Sequence, residues 1–155
     1  MNPELCSSYQ IYLSSTSFGF WDFKSKNWKK KIRKLCDDFG KESSIRFSLI
    51  DPLKVKSNDT WVVDKDLRLI AESDFVVCYM SKKVTIGTSM EIIYTSLYSK
   101  MYETEIPLIF IDPYKIHRKH PWIKKFCDYI VDNEKEAVDI IKERILNDAP
   151  QTEGF

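Results

Sequence analysis

The sequence FVVCYM at residues 75–80 is followed, after a short loop, by IGTSME at residues 86–91. An apolar run without polar alternation predicts a strand buried on both faces, as in a parallel sheet covered by helices. The glycine-led segment after it predicts a loop and the entry to a helix. A strand, a loop and a helix in this order place the carboxylate of Glu91 at the carboxyl edge of an open α/β sheet, where ligand sites usually form.

Strand-like and helix-like segments alternate along the rest of the chain. The patterns predict strands at residues 9–13, 45–50, 107–111 and 129–131, and helices at residues 25–39, 60–72, 88–100 and 134–146, with a short helix inside 115–126. Gly40 is predicted to cap the first helix at its C-terminus. The alternation predicts one α/β domain over residues 1–155: a three-layer sandwich around a flavodoxin-like, five-stranded parallel sheet in the order 2-1-3-4-5.

The composition indicates a folded chain without a strong overall charge. Of the 155 residues, 43% are hydrophobic and 14% aromatic, which argues against disorder. The 24 basic and 23 acidic side chains give a net charge of +1, so the overall charge does not indicate a nucleic-acid partner. The four cysteines form no C-x-x-C pair, and neither a signal peptide nor a membrane-length apolar run is apparent. We therefore expect a cytoplasmic protein without a membrane partner.

Several polar side chains fall at the predicted edge of the sheet. Tyr12 lies near the end of the first strand and is followed by Ser14 and Ser15, Asp66 lies in the second helix, and Glu91 follows the third strand. In the strand order 2-1-3-4-5, the loops after the first and third strands face each other. A carboxylate at this place can act as a nucleophile or as a general base.

Each of these residues also has a purely structural interpretation. Thr88-x-x-Glu91 fits the capping box, in which the glutamate binds the backbone at the start of its own helix. Asp66 can be an exposed helix residue whose basic neighbours balance its charge. Tyr12 can be a core aromatic anchored by its hydroxyl, and the hydroxyls of residues 14–17 can simply form a turn.

Three short motifs in a fixed order narrow these alternatives. They are IYLSS at residues 11–15, Asp-Leu-x-x-Ile-x-x-Ser-Asp at residues 66–74 and GTSMEI at residues 87–92. In these motifs and in the order of its elements, the chain resembles the nucleoside 2-deoxyribosyltransferase family, including the related 2′-deoxynucleoside 5′-monophosphate N-glycosidases. The resemblance implies that Glu91 attacks the anomeric carbon, that Asp66 transfers a proton at the nucleobase, and that Tyr12 orients Glu91.

The chemistry of N-glycosidic bonds suits these residue types. Cleavage passes through an oxocarbenium-like transition state, which a nearby carboxylate stabilises and can trap as a covalent glycosyl-enzyme. The departing base needs a proton, which a second acid in a less polar environment can supply. The intermediate then reacts with a new base, giving transfer, or with water, giving hydrolysis.

One position departs from the pattern of the transferases that act on free nucleosides. Six residues before the nucleophile these enzymes carry an aspartate for the sugar 5′-hydroxyl, whereas this chain has Thr85. The related monophosphate hydrolases carry a hydroxyl there to bind phosphate, which a helix N-terminus also favours. The aromatic residue Phe155 at the C-terminus, in contrast, is a feature that the chain shares with the transferases of the family. The predicted substrate-binding residues are Ser14, Ser15, Thr85, Gly87, Ser89 and Phe155.

The sequence thus favours transfer of 2-deoxyribose between nucleobases through a covalent intermediate on Glu91. The alternatives are a hydrolase of 2′-deoxynucleoside 5′-monophosphates and a non-catalytic nucleotide-binding protein. We expect a nucleoside or nucleotide and a nucleobase as ligands, no metal and no organic cofactor. The resemblance also implies a homo-oligomer, because active sites of the family borrow residues from a neighbouring subunit.

Two other signals are given structural interpretations. His117-x-x-His120 lacks a nearby carboxylate or cysteine ligand, so it does not predict a metal site. Residues 24–34 hold seven basic residues with aromatic residues close by, a composition that can bind single-stranded nucleic acid. Acidic residues follow at 37–42, so we expect a solvated helix face and no nucleic-acid partner.

Overall fold

Strands and helices alternate along residues 7–15, 27–52 and 60–148, which are the residues that the computed structural model describes. The strands are β1 (Ser8–Ser15), β2 (Arg46–Ile50), β3 (Phe75–Tyr79), β4 (Leu108–Ile111) and β5 (Tyr129–Val131). The helices are α1 (Trp28–Ser43), α2 (Trp61–Ala71), α3 (Ile86–Met101), α4 (Pro121–Phe126) and α5 (Glu134–Asp148). Each predicted strand and helix is present.

The five strands form one parallel sheet in the order β2-β1-β3-β4-β5. Tyr12 of β1 pairs with Ile50 of β2 on one side and with Val76 of β3 on the other. The chain leaves β1 toward β2 and later returns to β3 on the opposite side of β1, so the strand order reverses there. This arrangement confirms the predicted flavodoxin-like fold. The strand order reverses at the carboxyl ends of β1 and β3, which is where open α/β sheets usually form a ligand-binding crevice.

The sheet separates two apolar clusters, as in a three-layer sandwich. Successive side chains of a strand point to opposite faces, so Ile11 and Leu13 of β1 pack against α1 and α5, whereas Tyr12 packs on the side of α2 and α3. Every residue of β3 and β4 is buried. Among the described cysteines, Cys36, Cys78 and Cys127 are buried free thiols. No helix within the described ranges is long and apolar enough to cross a membrane.

The prediction that Gly40 ends the first helix is wrong. Helix α1 continues to Ser43, and Ser44 takes the left-handed conformation, with φ of 58°. Gly40 lies inside the helix, where a Cβ atom would be 2.5 Å from the carbonyl oxygen of Ile45. Its small size therefore serves the close approach of the chain that leads into β2.

Alanine at the two described glycines should have opposite effects on stability. We expect Gly40→Ala to lower the free energy of unfolding by about 1–3 kcal/mol, because the backbone near Ile45 must shift. A Cβ on Gly87 would meet no atom within 4 Å outside the adjoining backbone of its own helix, so Gly87→Ala should be neutral or stabilising by up to about 1 kcal/mol. Urea unfolding of both variants measures the difference; equal effects would contradict this account of Gly40.

Candidate active site

A carboxylate from α3 meets two hydroxyl groups from β1 at the carboxyl edge of the sheet. The Tyr12 hydroxyl donates a hydrogen bond of 2.8 Å to Glu91 Oε1, and the Ser14 hydroxyl donates to Glu91 Oε2. Tyr12 and Ser14 are two residues apart on a strand, so both side chains point to the face that α3 covers. Both Glu91 oxygens are thereby held in place by the strand next to the crevice.

This geometry excludes the capping box as the role of Glu91. Helix α3 begins at Ile86, earlier than predicted, and its N-cap is Thr85, whose side chain makes no capping hydrogen bond. Glu91 consequently lies in the second turn of α3 and not in the first. Its side chain binds β1 instead of the backbone at the start of its own helix.

Burial dominates the electrostatics of Glu91. Loss of solvent raises the pKa of its carboxyl group, and the hydrogen bonds from Ser14 and Tyr12 oppose this rise because they favour the ionised form. The charge of Asp66 raises the same pKa further, whereas Lys29 lowers it. Burial and the adjacent Glu91 raise the pKa of Tyr12, so its hydroxyl keeps its proton and acts as a donor.

Asp66 of α2 provides a second, half-buried carboxylate near Glu91. Burial raises its pKa, and Lys65 partly opposes the rise. Its Oδ1 atom is buried and has no hydrogen-bond partner among the described residues. Because a buried carboxylate oxygen without a donor is costly, this atom is suited to accept a hydrogen bond from a ligand or to carry a proton. The position does not match the interpretation of Asp66 as a solvated surface residue.

The predicted phosphate-binding hydroxyls lie at the start of α3. Thr85 Oγ1 donates to Thr88 Oγ1 at 3.2 Å, and Ser89 Oγ donates to the Thr85 carbonyl oxygen at 2.9 Å. Backbone N–H groups in the first turn of a helix have no acceptor within that helix and can bind an anion. Gly87 in the same turn leaves open space beside its backbone. Their binding of substrate stays a prediction.

The other predicted substrate-binding residues are Ser14, Ser15 and Phe155, none of which belongs to α3. Ser14 is fully buried, and its hydroxyl contacts Glu91, so the structure places it against the carboxylate. Ser15 is half-buried at the end of β1. Phe155 and residues 16 and 17 lie outside the described residues. The structure thus brings Tyr12, Ser14 and Glu91 into direct contact, with Asp66 near enough for its charge to act on Glu91.

Two further residues act on Glu91 or lie beside Ser14, and neither was among the predicted site residues. Lys29, near the start of α1, forms an ion pair with Asp51 just after β2, and its charge lowers the pKa of Glu91. In the sequence it is one of seven basic residues at 24–34, and no local pattern distinguishes it. Cys78 of β3 lies beside Ser14 in the strand register. Only the pairing of β1 with β3 reveals this proximity.

The two histidines make structural contacts. His117 is buried, and its Nε2 lies 2.7 Å from the carbonyl oxygen of Ser81, to which it donates. His120 is the N-cap of α4, where its Nδ1 accepts from the Trp122 N–H at 3.4 Å. Within residues 7–15, 27–52 and 60–148, no group of three or more His, Cys, Asp or Glu side chains could hold a metal ion.

Several side chains of the basic segment at residues 24–34 make contacts within the protein. Trp28 is buried and stacks on Tyr79 with ring centroids 5.2 Å apart, so its face is not available to a nucleic-acid base. Lys31 Nζ lies 3.7 Å from Glu134 Oε1 of α5, and Lys29 forms an ion pair with Asp51. These contacts favour the structural interpretation of this segment over a stacking platform.

An apolar cavity of about 290 Å³ lies next to the start of α3. Ser89 and Ile92 of α3 form one side, and Trp122 and Phe126 of α4 form the other. Most of its lining is apolar, with a few polar side chains, which is typical of small-molecule pockets. Because Ser89 lines it, the cavity adjoins the predicted phosphate-binding turn.

Two solved structures share this fold. The CMP N-glycosidase BcmB of Clostridium botulinum aligns with 87% of this chain and 98% of its own, with 15% sequence identity and a TM-score of 0.54. The 2-desoxiribosyltransferase from Leishmania mexicana aligns with 87% of this chain and 97% of its own, with 12% identity and a TM-score of 0.52. No protein-family model and no curated protein matches the sequence. The likeness establishes a common fold over most of each chain.

Replacing Glu91 should make stability less dependent on pH. In the native state the pKa of Glu91 lies above the ordinary value of 4.5, so the native protein retains a proton that the unfolded chain releases. Wild-type stability therefore falls as the pH rises through this interval, and Glu91→Gln removes that loss. We expect Glu91→Gln to unfold at a higher temperature than the wild type at about pH 7.5, with a smaller difference at about pH 4.

Thermal unfolding across this pH range provides the measurement. Glu143→Gln, at an exposed position of α5, is the matched control and should leave the pH dependence unchanged. If the difference in unfolding temperature between Glu91→Gln and the wild type stays constant with pH, folding does not raise the pKa of Glu91.

Proposed function

We propose that this chain is an enzyme of the nucleoside 2-deoxyribosyltransferase-like family that breaks N-glycosidic bonds, with Glu91 as its nucleophile. The observation that carries the proposal is a half-buried carboxylate held by the Tyr12 and Ser14 hydroxyls, near a second carboxylate whose buried Oδ1 has no partner among the described residues. The two structures of the same fold bear the names of enzymes of this chemistry.

The first chemical step forms a glycosyl-enzyme. Glu91 attacks the anomeric carbon, the N-glycosidic bond breaks, and its electron pair goes to the base nitrogen. Asp66 donates a proton to the departing base, so the base leaves neutral. The raised pKa of Asp66 suits this role, because a larger fraction of an acid with a raised pKa keeps its proton at a given pH.

The second step releases the sugar from Glu91. A nucleobase nitrogen or a water oxygen attacks the anomeric carbon, and the bond to Glu91 breaks with its electron pair returning to the carboxylate. Asp66 accepts the proton that the attacking group loses. Tyr12 and Ser14 hold the carboxylate in one orientation through both steps, which lowers the entropic part of the barrier.

Transfer to a second base is the activity we favour, and hydrolysis of a 5′-monophosphate is the alternative with a specific observation behind it. Thr85 stands at the N-cap of α3 with an extended backbone, next to the hydroxyl of Ser89 and the first helical turn. This turn can bind a phosphate through N–H groups, whereas a neutral 5′-hydroxyl has no need of a helix N-terminus. The neighbour from Clostridium botulinum is named for a nucleotide substrate.

The test is chromatography of products from each deoxynucleoside and each 5′-monophosphate, with and without an added free base. A new nucleoside that forms only with the added base establishes transfer, and base release from monophosphates alone establishes hydrolysis. Ligand binding without turnover of any substrate would contradict catalysis and leave the nucleotide-binding alternative.

Variants of the two carboxylates should lose activity without losing the fold. We expect Asp66→Asn to lower kcat by about 10²–10⁴-fold, the usual contribution of a general acid–base group, and Glu91→Gln to lower it at least as much. Glu143→Gln on α5 is the matched control and should retain wild-type rates. Rates that depend equally little on Glu91 and Glu143 would contradict the proposed nucleophile.

Self-association is the second part of the proposal. One face of α3 exposes Ile86, Met90, Leu97 and Met101, of which 80%, 61%, 44% and 73% is accessible. Apart from Glu91, Lys100 is the one charged residue of α3, so two copies of this face can meet without strong repulsion. Because an apolar stripe along a sixteen-residue helix is costly to expose, we infer that a second copy of the chain covers it, with two-fold symmetry.

Charge on this face should separate the subunits. We expect Leu97→Arg to convert the oligomer to a monomer, because it would bury an unpaired charge in an otherwise apolar interface. The matched control is Leu146→Arg at a similarly exposed position of α5. Light scattering after size-exclusion chromatography measures the mass; a monomeric wild type, or equal effects of both variants, would exclude α3 as the interface.

A further inference from the structure

The apolar cavity between α3 and α4 is lined by residues other than those proposed for catalysis. Its lining comes from α3, α4, the end of β3 and the loop after β4, whereas Asp66 belongs to α2 and Glu91 binds β1. None of the described residues that line it carries a carboxylate, an amine or a guanidinium group. The lining therefore favours an uncharged occupant, because an ion would leave water there without gaining a partner of opposite charge.

The loop after β4, which forms one wall of the cavity, is held in place by a buried carboxylate. Asp112 is fully buried, and its carboxylate accepts hydrogen bonds from the backbone N–H groups of Ile116, His117 and Arg118 at 3.2, 3.1 and 2.9 Å. The Arg118 guanidinium donates to the Asp112 carbonyl oxygen at 3.0 Å and also binds Asp132. Three backbone donors and an arginine thus define the path of the loop, and the cavity receives His117 from a preorganised backbone.

Hydrogen bonds within the protein determine which ring nitrogen of each histidine is left for a ligand. A carbonyl oxygen can only accept, so His117 Nε2, 2.7 Å from the Ser81 carbonyl oxygen, carries the proton of the neutral ring. His117 is 9% exposed, and its Nδ1 makes no hydrogen bond to a described residue. His120 Nδ1 accepts from the Trp122 N–H, which leaves the proton of its neutral ring on Nε2. The two rings that line the cavity therefore leave one acceptor, His117 Nδ1, and one donor, His120 Nε2–H.

We propose that this cavity binds an uncharged aminopurine ring, which donates a hydrogen bond to His117 Nδ1, accepts one from His120 Nε2 and stacks on Trp122. An adenine ring presents a donor and an acceptor on one edge, as these two histidines require. The volume of about 290 Å³ is sufficient for two fused rings, since an apolar cavity of about 150 Å³ holds benzene. Trp122 lines the cavity and is 57% exposed, so a stacked ring would remove apolar surface from water.

Two small molecules test the ring site without any turnover. The first is 9-methyladenine, whose methyl group occupies the nitrogen to which a sugar would be attached, so that binding is measured apart from the proposed reaction. The second is 9-methylpurine, the matched ligand, which has the same ring system but lacks the amino donor for His117 Nδ1. Because neither Asp66 nor Glu91 lines the cavity, the result does not depend on the proposed function.

Binding is measured by titration of the ¹⁵N-labelled full chain, followed by NMR of the backbone, indole and imidazole nitrogens. We expect 9-methyladenine to shift the resonances of the Trp122 indole and of His117 Nδ1, and to leave the exposed Trp61 indole of α2 unchanged. The dissociation constant of 9-methylpurine should be about tenfold higher, roughly the contribution of one hydrogen bond, with a smaller shift of His117 Nδ1.

Substitutions at exposed positions of the cavity separate stacking from hydrogen bonding. Trp122→Ala should weaken the binding of 9-methyladenine by about tenfold or more, because the stacking surface is lost. His120→Ala should weaken it by about tenfold, because the donor is lost. Trp61→Ala is the matched control for an exposed tryptophan, and Glu91→Gln is the control for the candidate active site. Both controls should bind as the wild type does.

Any of four results would overturn the proposal. The first is a wild-type spectrum that stays unchanged up to the solubility limit of 9-methyladenine. The second is equal affinity of Trp122→Ala and Trp61→Ala. Shifts largest at Tyr12, Asp66 and Glu91 would instead locate the ring in the candidate active site. Binding to Leu97→Arg alone would show that a second copy of the chain fills the cavity in the wild type. A chain that turns over no substrate but binds as expected would contradict the proposed function and retain the ring site.

Discussion

The burial of the Glu91 carboxylate against the hydroxyls of Tyr12 and Ser14 is the interaction around which the crevice is organised. A carboxylate removed from water is stable only when its oxygens receive donors, and here both donors come from β1. The contact joins α3 to the strand at which the sheet order reverses. The same interaction therefore fixes α3 against β1 and places the proposed nucleophile at the carboxyl edge of the sheet.

At the edge of the sheet that holds Glu91, the requirements of stability and of the proposed catalysis oppose each other. The face of β1 toward α1 and α5 carries Ile11 and Leu13, whose burial stabilises the fold, whereas the opposite face carries the hydroxyl groups that bind Glu91. Burial raises the pKa values of both Glu91 and Asp66, so the folded protein ionises these carboxylates at a cost. Such a cost is typical of active sites, where carboxyl groups are held in the protonation states that catalysis needs.

Much of the fold could be predicted because its signals are local. The uniformly apolar run at residues 75–80 indicates a strand buried on both faces of the sheet, whatever segments are near it. The alternation of strand-like and helix-like hydrophobic patterns along the chain predicts the order of the elements. Helix ends are less local. Glycine is typical of the residue that ends a helix, yet α1 continues past Gly40 to Ser43. The absence of a side chain at Gly40 serves another purpose, since it leaves room for the Ile45 carbonyl oxygen. That contact exists only after β2 has joined the sheet.

The sequence by itself determined the α/β order of elements, the residue types of the candidate site and their places at the ends of strands, because periodicity and motif spacing are properties of the chain alone. Tertiary structure decided what those residues do to one another. Thr88-x-x-Glu91 is compatible with a helix cap, and only the packing of α3 on β1 turns the Glu91 side chain to Tyr12 and Ser14. The proximity of Cys78 to Ser14, sixty-four positions apart, likewise depends on strand register, which sets distances between residues that no local pattern relates.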